Sequence, residues 1–397
     1  MKILFILPLL MTTVSGQGFG EGGFEGFGGA SDRLGAFADV ARGFASVAGG
    51  LADGVAVALS NVAQGALTSF ANFVPKVPVL ANIQNFDDFL NQTGQALSEA
   101  DRTFRESLFL ASKNLVDAGN EAFAKGAFTF QLAINAFADL SHEEFVKQLT
   151  GRKRSPETDA RTASRRTLAI VPEDKHIPDA FDWREKGGVT PVKNQGTCGS
   201  CWAFATTGAI EGHTFAATGK LPNLSEQNLI DCGPKEDFSL NGCIGGFQEA
   251  ALCWISENQK GVPPTENYPY VNSQESCKFQ GNQLISQVHG FSVIPPGDEE
   301  LMKKVVATLG PIACSVSVSE SLLFYGKGIY NDESCNNYDL IHSVLVVGYG
   351  SENGMDYWIV KNSWNVNWGE KGYFRLQRGK NLCQIAEECS YPLVTQS

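Results

Sequence analysis

The chain is 397 residues long, 43% hydrophobic and 19% charged, an ordinary globular composition with room for more than one domain. Its formal net charge of -12 argues against nucleic acid as a partner. The acidity is uneven: from residue 177 onward 24 Asp/Glu stand against 15 Lys/Arg, and before it 19 against 16.

The N-terminus reads Met1-Lys2, an apolar run from Ile3 to Met11, then Thr12-Thr13-Val14-Ser15-Gly16. A charged start, a short apolar run and small residues predict a signal peptide over 1–16 rather than a buried N-terminal helix. The run is too short to span a bilayer, and no later run is long and apolar enough to predict a transmembrane segment. Residues 17–80 are a Gly/Ala-rich extension. Within it Phe37, Ala41, Phe44, Leu51, Val55, Val62 and Phe70 recur at roughly helical spacing. That pattern is open to a self-association or membrane-surface helix. The many glycines favour a flexible low-complexity segment instead.

Residues 81–150 are more regular. The spacing predicts an amphipathic helix from Leu97 to Asn120, ending near Gly119, and strand-like alternation from Phe128 to Phe137. Ser141 with Glu144 three positions on is a capping box that should open another helix. Residues 151–176 are polar and basic, with Arg152-Lys153-Arg154 and Arg165-Arg166, and read as an exposed, protease-sensitive linker. A new domain begins near Ile177. Asn91 and Asn223 head Asn-x-Ser/Thr triplets and are candidate glycosylation sites in a secreted chain.

All ten cysteines lie between Cys198 and Cys389, which implies an oxidising compartment and disulfides. Cys198 and Cys201 have no second close pair or His-x-x-x-His to complete a zinc site, so no metal is expected.

The densest chemical signal is Gln195-Gly-Thr-Cys198-Gly-Ser-Cys201-Trp-Ala-Phe204, where glycines give way to a helix-like stretch reaching about Thr218. Cys201 at a helix N-terminus would have its thiolate stabilised by open N–H groups and the helix dipole. On position alone it is either a nucleophile or half of a disulfide. A nucleophilic cysteine needs a base. His213 lies twelve residues along the same helix, about 18 Å away at 1.5 Å per residue. His289 precedes a strand-like run and reads as a surface or core histidine. His342 starts a buried strand and is the remaining candidate. An amide oxygen on Asn362 could orient its ring, Trp364 could shield that bond, and Gln195 with the Cys201 N–H could stabilise an oxyanion.

From these residues the chain resembles the papain family of cysteine proteases, on its cathepsin L-like branch. The resemblance covers 177–397. It is carried by Asp182-Trp-Arg184, Val189 to Gln195, Cys198 to Phe204, Leu224 to Gln227, Gly242 to Gly246, His342 to Gly350, Asn362-Ser-Trp364 and Trp368-Gly-Glu370. It implies an α+β papain-like two-lobe fold, a helical lobe plus a β-barrel-like lobe, preceded by a mainly helical inhibitory propeptide over 81–150. Asp101, Arg105, Phe109, Ser112, Val116 and Asn120 stand at the propeptide's motif positions, three matching and three substituted. Asn135, Phe137 and Asp139 match its second signature. The linker would then lie across the cleft and block substrate, and acid would loosen it.

The family's pairings imply Cys198–Cys243, Cys232–Cys277 and Cys335–Cys383. They leave Cys201 as the free nucleophile, with Cys253, Cys314 and Cys389 open; a Cys314–Cys389 bridge is one option. The implied substrate-binding residues are Gly245, Gly246, Phe247, Gln248, Ser315, Leu340, Ile341, Trp364 and Trp368. Glu388 stands at the pocket floor, where a carboxylate would accept Arg beside hydrophobic groups; the other reading turns Glu388 to solvent. The loop Gly233 to Gly242 looks longer than usual for the family, and Asn365 replaces a common Gly. No extra His-His loop or anchored propeptide piece is visible, so an endopeptidase is the default. The implied enzyme needs no cofactor, acts on protein or peptide substrates, is inhibited by its own propeptide, is a monomer when mature, and is lysosomal or extracellular. The rival is a silent binding or storage protein on the same fold, which usually lacks the nucleophile or the base.

Overall fold

A computed structural model describes residues 80, 82–171, 176–281 and 284–394. The expected signal peptide at 1–16 lies outside the described residues, as does the extension at 17–80 apart from Leu80.

The described chain starts with two helices, α1 (Phe86–Thr93) and α2 (Glu99–Ala124). Each begins where a side chain satisfies an open backbone N–H: Asn85 accepts from Asp88, and Ser98 from Asp101. Their apolar faces meet through Phe109, whose ring lies 5.5 Å from Phe86 and 5.1 Å from Phe89. Helix α2 does not stop at Gly119. That glycine marks a crossing: a Cβ on it would lie 2.4 Å from Leu132 Cδ1 on strand β1 (Phe130–Leu132). Asn120 secures the crossing, its amide donating to Leu132 O and accepting from Leu132 N. The alternation read over 128–137 condenses to these three strand residues, because the strand exists only where it pairs antiparallel with Tyr325, Lys327 and Gly328.

Ser141 opens α3 (His142–Leu149) with the expected capping box: Ser141 Oγ accepts from Glu144 N, and the Glu144 carboxylate accepts from Ser141 N. Arg105 of α2 grips both carboxylate oxygens of Glu144 and also donates to Asp139 O at 2.7 Å. The described part of the stretch read as an exposed linker, 151–171, is docked, although most of its residues remain exposed. It forms α4 (Pro156–Ala163), capped by Ser155, and β2 (Thr167–Leu168). Its partners lie 80 or more residues away, which is why local polarity suggested a free segment.

Beyond β3 (Phe181–Asp182) the chain forms two lobes with separate cores. The first holds α5 (Cys201–Thr218), α6 (Glu226–Cys232), α7 (Lys235–Phe238) and α8 (Gln248–Trp254). Short strand β4 (Gly261–Val262) leads to β5 (Ser286–Ile294). Then follow α9 (Glu299–Thr308), β6 (Ile312–Ser317), α10 (Glu320–Leu323), β7 (Tyr325–Tyr330), β8 (Leu340–Glu352), β9 (Met355–Lys361), β10 (Tyr373–Gln377) and β11 (Cys389–Val394). The sheet order is β1-β7-β10-β9-β8-β6-β11-β5-β2, with β3 on β8 and β4 on β5. The β-barrel-like lobe is thus an open sheet. Both ends of the path are strands from before residue 177, so the N-terminal region covers two edges that would otherwise offer unpaired backbone.

Disulfides join Cys198–Cys243, Cys232–Cys277 and Cys335–Cys383, and a fourth joins Cys314 on β6 to Cys389 on β11. Among the described residues Cys201 and Cys253 are free and buried.

Phe109 is fully buried between α1 and α2. Phe109→Ala should cost the N-terminal domain about 3–5 kcal/mol. Hydrogen exchange should show protection lost across 82–150 and kept in the sheet of the second lobe; unchanged protection in α1 and α2 would contradict this packing account.

Candidate active site

Cys201 is the first residue of α5. Ser200 makes no side-chain cap, and no acidic residue occupies the first turn, so the helix's open N–H groups and positive end are directed at Cys201. The sulfur is nevertheless sealed. Burial pushes the Cys201 thiol up to about 12, against opposing hydrogen bonds from Ser343 and from the backbones of Trp202 and Arg152.

His342 lies on β8 and Asn362 one residue beyond the end of β9, brought together because these strands pair. His342 Nε2 is 2.8 Å from Asn362 Oδ1. An amide oxygen only accepts, so Nε2 carries the proton and Nδ1 is left with a lone pair. That Nδ1 is buried without a hydrogen-bond partner among the described residues. The Trp364 ring stacks on the imidazole at 4.6 Å. Burial pushes His342 down to about 4, with the Asn362 hydrogen bond opposing. Gln195 is fully buried; its Oε1 accepts from Ser363 Oγ at 2.6 Å and its Nε2 donates to Cys198 O at 3.0 Å.

The seal is residues 149–153. Gly151 and Arg152 donate their backbone N–H groups to Ile341 O at 3.1 and 3.0 Å. Gly151 O accepts from Gly246 N at 2.8 Å, and Lys153 N donates to Gly246 O at 2.6 Å. The strand-like segment therefore bonds to both lobes. Only glycine fits at 151, since a Cβ there would lie 2.0 Å from Gly199 O. Gly245, at φ 135°, faces the same segment: its Cβ would lie 2.6 Å from Gly151 O. Trp364 donates to Leu149 O at 2.9 Å and meets Phe137 and Phe145 edge-on. Trp368 packs on Trp364 and donates to Leu323 O, which also accepts from Asn135.

Arg152 sends its side chain to Glu388, which it grips through Nε and Nη2, while Nη1 is 3.4 Å from Leu340 O. Arg154 Nη1 reaches the same carboxylate at 2.8 Å. Both guanidinium groups lie over the Phe247 ring, at 5.3 and 5.5 Å from its centroid. The Glu388 side chain is 10% exposed beneath these two arginines. Gln248 Nε2 donates to Ser315 Oγ at 3.0 Å and lies 3.3 Å from Glu388 O, and Ser343 Oγ donates to Gln248 Oε1 at 2.8 Å.

Of the other candidates, His213 is a core residue, stacked on Tyr391 and bonded to Pro311 O, with its pKa pushed down to about 4 by burial. Asn91 and Asn223 are both exposed. Sequence reasoning missed Arg152 as a cleft occupant and Ser343 as a polar group next to His342. It also missed a buried charge cluster behind the site. There Lys193 pairs with Glu211 and Glu226, and Lys361, beside Asn362, bonds Thr190 Oγ1 at 3.0 Å. The available signal was an unusual pair of lysines, Lys193 and Lys361, each next to a site motif.

A family model described as papain family cysteine protease matches residues 177–393, and one described as cathepsin propeptide inhibitor domain (I29) matches 86–145. Cathepsin L of Sarcophaga peregrina is 43% identical over 302 residues, 75% of this chain and 88% of that protein. Cathepsin K of Mus musculus is 41% identical over 297 residues, 74% of this chain and 88% of that protein. The solved structure of digestive procathepsin L 3 from Tenebrio molitor larval midgut aligns with a TM-score of 0.70 at 37% identity, covering 77% of this chain and 97% of that one.

With the sulfur sealed and its thiol held protonated, Cys201 in the intact chain should react with iodoacetamide at least about tenfold more slowly than after the segment before 177 is removed. Gly151→Val should raise labelling of the intact chain, because the added side chain collides with Gly199. Equal rates before and after removal would contradict the seal.

Proposed function

The chain belongs to the papain family of cysteine proteases, on its cathepsin L-like branch, and carries its own inhibitory propeptide; we propose that it is an endopeptidase in which Cys201 is the nucleophile and His342 the base. It is a hydrolase acting on peptide bonds, made as a zymogen.

In the proposed mechanism the propeptide leaves, water reaches the cleft, and the burial that favours thiol and neutral imidazole ends. His342 Nδ1, the ring nitrogen not committed to Asn362, takes the Cys201 proton. The thiolate, held at the N-terminus of α5, attacks the scissile carbonyl. The Cys201 N–H and a Gln195 Nε2–H stabilise the oxyanion; that nitrogen has a second hydrogen beyond the one given to Cys198 O. The imidazolium then protonates the leaving amine, and water activated by His342 hydrolyses the acyl-enzyme. Asn362 and Trp364 hold the ring throughout. The four disulfides support a secretory destination, lysosomal or extracellular.

The observation that carries the substrate reading is the grip of Arg152 on Glu388 inside the cleft. A guanidinium there, over Phe247, is the chemistry expected of a substrate arginine two residues before the scissile bond. An apolar side chain on Phe247 is compatible with the same pocket.

Release by acid has a defined sign. Burial raises the Glu144 pKa, but the Arg105 grip and the Ser141 N–H outweigh it and hold the carboxyl below its ordinary 4.5. The pair therefore stabilises the closed propeptide above about pH 4.5 and is lost as pH falls through the lower, folded value. Asp139 works oppositely. Burial lifts it to about 6 against the pull of Arg105, so its protonation below pH 6 relieves a cost and does not open the domain.

The deciding experiment acidifies the precursor and follows Phe-Arg and Arg-Arg dipeptidyl reporters, with Cys201→Ala as control. Acid should produce activity absent from the control. Glu388→Gln should lower kcat/KM for Arg-Arg by about 10- to 100-fold, the worth of a charge-assisted pair, and that for Phe-Arg by less than about threefold. Equal losses on both reporters would remove Glu388 from the pocket.

The Arg105–Glu144 pair gives a second prediction. Glu144→Gln should let the precursor process at a higher pH than the native chain, since the pair is already weakened. An unchanged processing pH would exclude this pair as a latch.

A further inference from the structure

Past the pocket, residues 154–166 continue over a face of the first lobe that the catalytic site does not use. The ion pairs there run one way. Arg161 meets Asp237 at 3.5 Å, Arg165 meets Glu257, and Arg166 meets Glu249, all cations from the segment and all anions from the domain beyond 177. The segment's one acidic residue in the network, Asp159, pairs internally with Arg154 and lies 4.0 Å from Arg166. The Glu249 side chain is 8% exposed beneath Arg166. Arg161 also lies over the Phe238 ring at 4.3 Å from its centroid. Thr158 and Thr162 of α4 are buried, and Ser239, in the left-handed conformation that ends α7, bonds Thr158 Oγ1 at 2.8 Å and Ser155 Oγ at 3.0 Å.

Phe238, Asp237 and Ser239 belong to the loop between Cys232 and Cys243, whose length the sequence marked as unusual. The pocket floor, Glu388, does not depend on them. The face thus has an aromatic platform, the Ser239 hydroxyl and three carboxylates whose partners leave when the propeptide leaves.

We propose that this face, formed by Asp237, Phe238, Ser239, Glu249 and Glu257, is an exosite of the processed enzyme for an arginine-rich stretch of a polypeptide substrate. The segment reaches it after passing Glu388, through Arg161, Arg165 and Arg166. If the pocket takes the residue two before the scissile bond, the exosite takes residues further toward the substrate's N-terminus. The inference rests on that reading of the site. Its occupant is read from the segment seated on it: guanidinium groups at several positions, with small hydroxyl residues between them. Each exposed pair contributes little, so affinity comes from several pairs acting on one chain already held in the cleft.

The test uses the acid-processed protein and two peptides with one cleavable core, Phe in the pocket position and Arg beside the bond. One peptide is extended N-terminally by ten residues carrying four arginines, the other by ten Ser and Gln residues. Turnover is expressed relative to the unextended core for each variant. The basic extension should raise kcat/KM by at least about fivefold, chiefly through KM, and the gain should shrink as salt rises from about 50 to 500 mM. It should vanish in Glu249→Gln/Glu257→Gln and fall in Phe238→Ala. Equal turnover of the two peptides, or a gain that survives the double variant, would overturn the exosite. Turnover of neither would sink the catalytic reading instead. In that event a fluorescent 154–166 peptide should still bind the processed protein and lose binding in the double variant, and no binding would overturn the exosite as well.

Discussion

The backbone of residues 151–153, bonded to Gly246 on one lobe and Ile341 on the other, is the contact on which the closed form depends. Two lobes with separate cores are bridged there by a strand-like segment that belongs to neither core. The bridge works because Gly151 has no side chain: it passes so close to Gly199 that a methyl group would overlap the carbonyl. Once that register is set, the Arg152 side chain extends to the Glu388 carboxylate with its guanidinium over the Phe247 ring. The upstream helices serve the same register. Phe137 and Phe145 seat on Trp364, and Trp364 holds Leu149 by its carbonyl, two residues before the glycine.

The same contact silences the chemistry. A thiolate–imidazolium pair needs solvent and the helix dipole to support two charges. Sealing the cleft removes the solvent, and burial then moves the two groups in opposite directions, the thiol up and the imidazole down. Both end neutral, which is the inert pair. Of the hydrogen bonds that oppose these shifts, those from Ser343 and the Trp202 N–H at the sulfur and from Asn362 at the ring belong to the domain beyond 177, and the Arg152 N–H leaves with the segment. For the proposed Cys201–His342 pair, inhibition is therefore electrostatic as well as steric, and both effects end together when the segment leaves. Behind Asn362, Lys193 is paired with Glu211 and Glu226, while Lys361 bonds the Thr190 hydroxyl and burial lowers its pKa to about 8.

Much of this was legible in the sequence, and the exceptions share a cause. The start of α5 at Cys201, its end at Thr218 and the capping box at Ser141 are local signals, and each is where the residues put it. His342 and Asn362 come together because adjacent strands β8 and β9 carry them, which strand-like runs implied. Gly119 was misread because a glycine marks equally well a helix end or a close crossing, and only Leu132 decides between them. The 128–137 stretch looked like a longer strand because alternation reports a half-buried surface; its true length is set by the partner edge at 325–328. Arg152 read as linker charge because its partner is 236 residues away. Ser343 and the hydroxyl set at Ser239 went unseen for the same reason.

The uneven charge noted at the outset has a structural counterpart: arginines of the propeptide segment lie on carboxylates of the catalytic domain. Most of these pairs are partly exposed, and such pairs are individually weak. They hold the segment because it is covalently attached and rebinds at high effective concentration. In the proposed acid release the Arg105–Glu144 pair is lost, yet an attached segment returns when the pH does. Cutting the chain between β2 and the first residues of the catalytic domain removes the tether, and with it the concentration that made weak pairs sufficient. The closed form is thus stable as long as the chain is whole and poorly defended once it is cut, which makes the cut, more than the acid, the irreversible step.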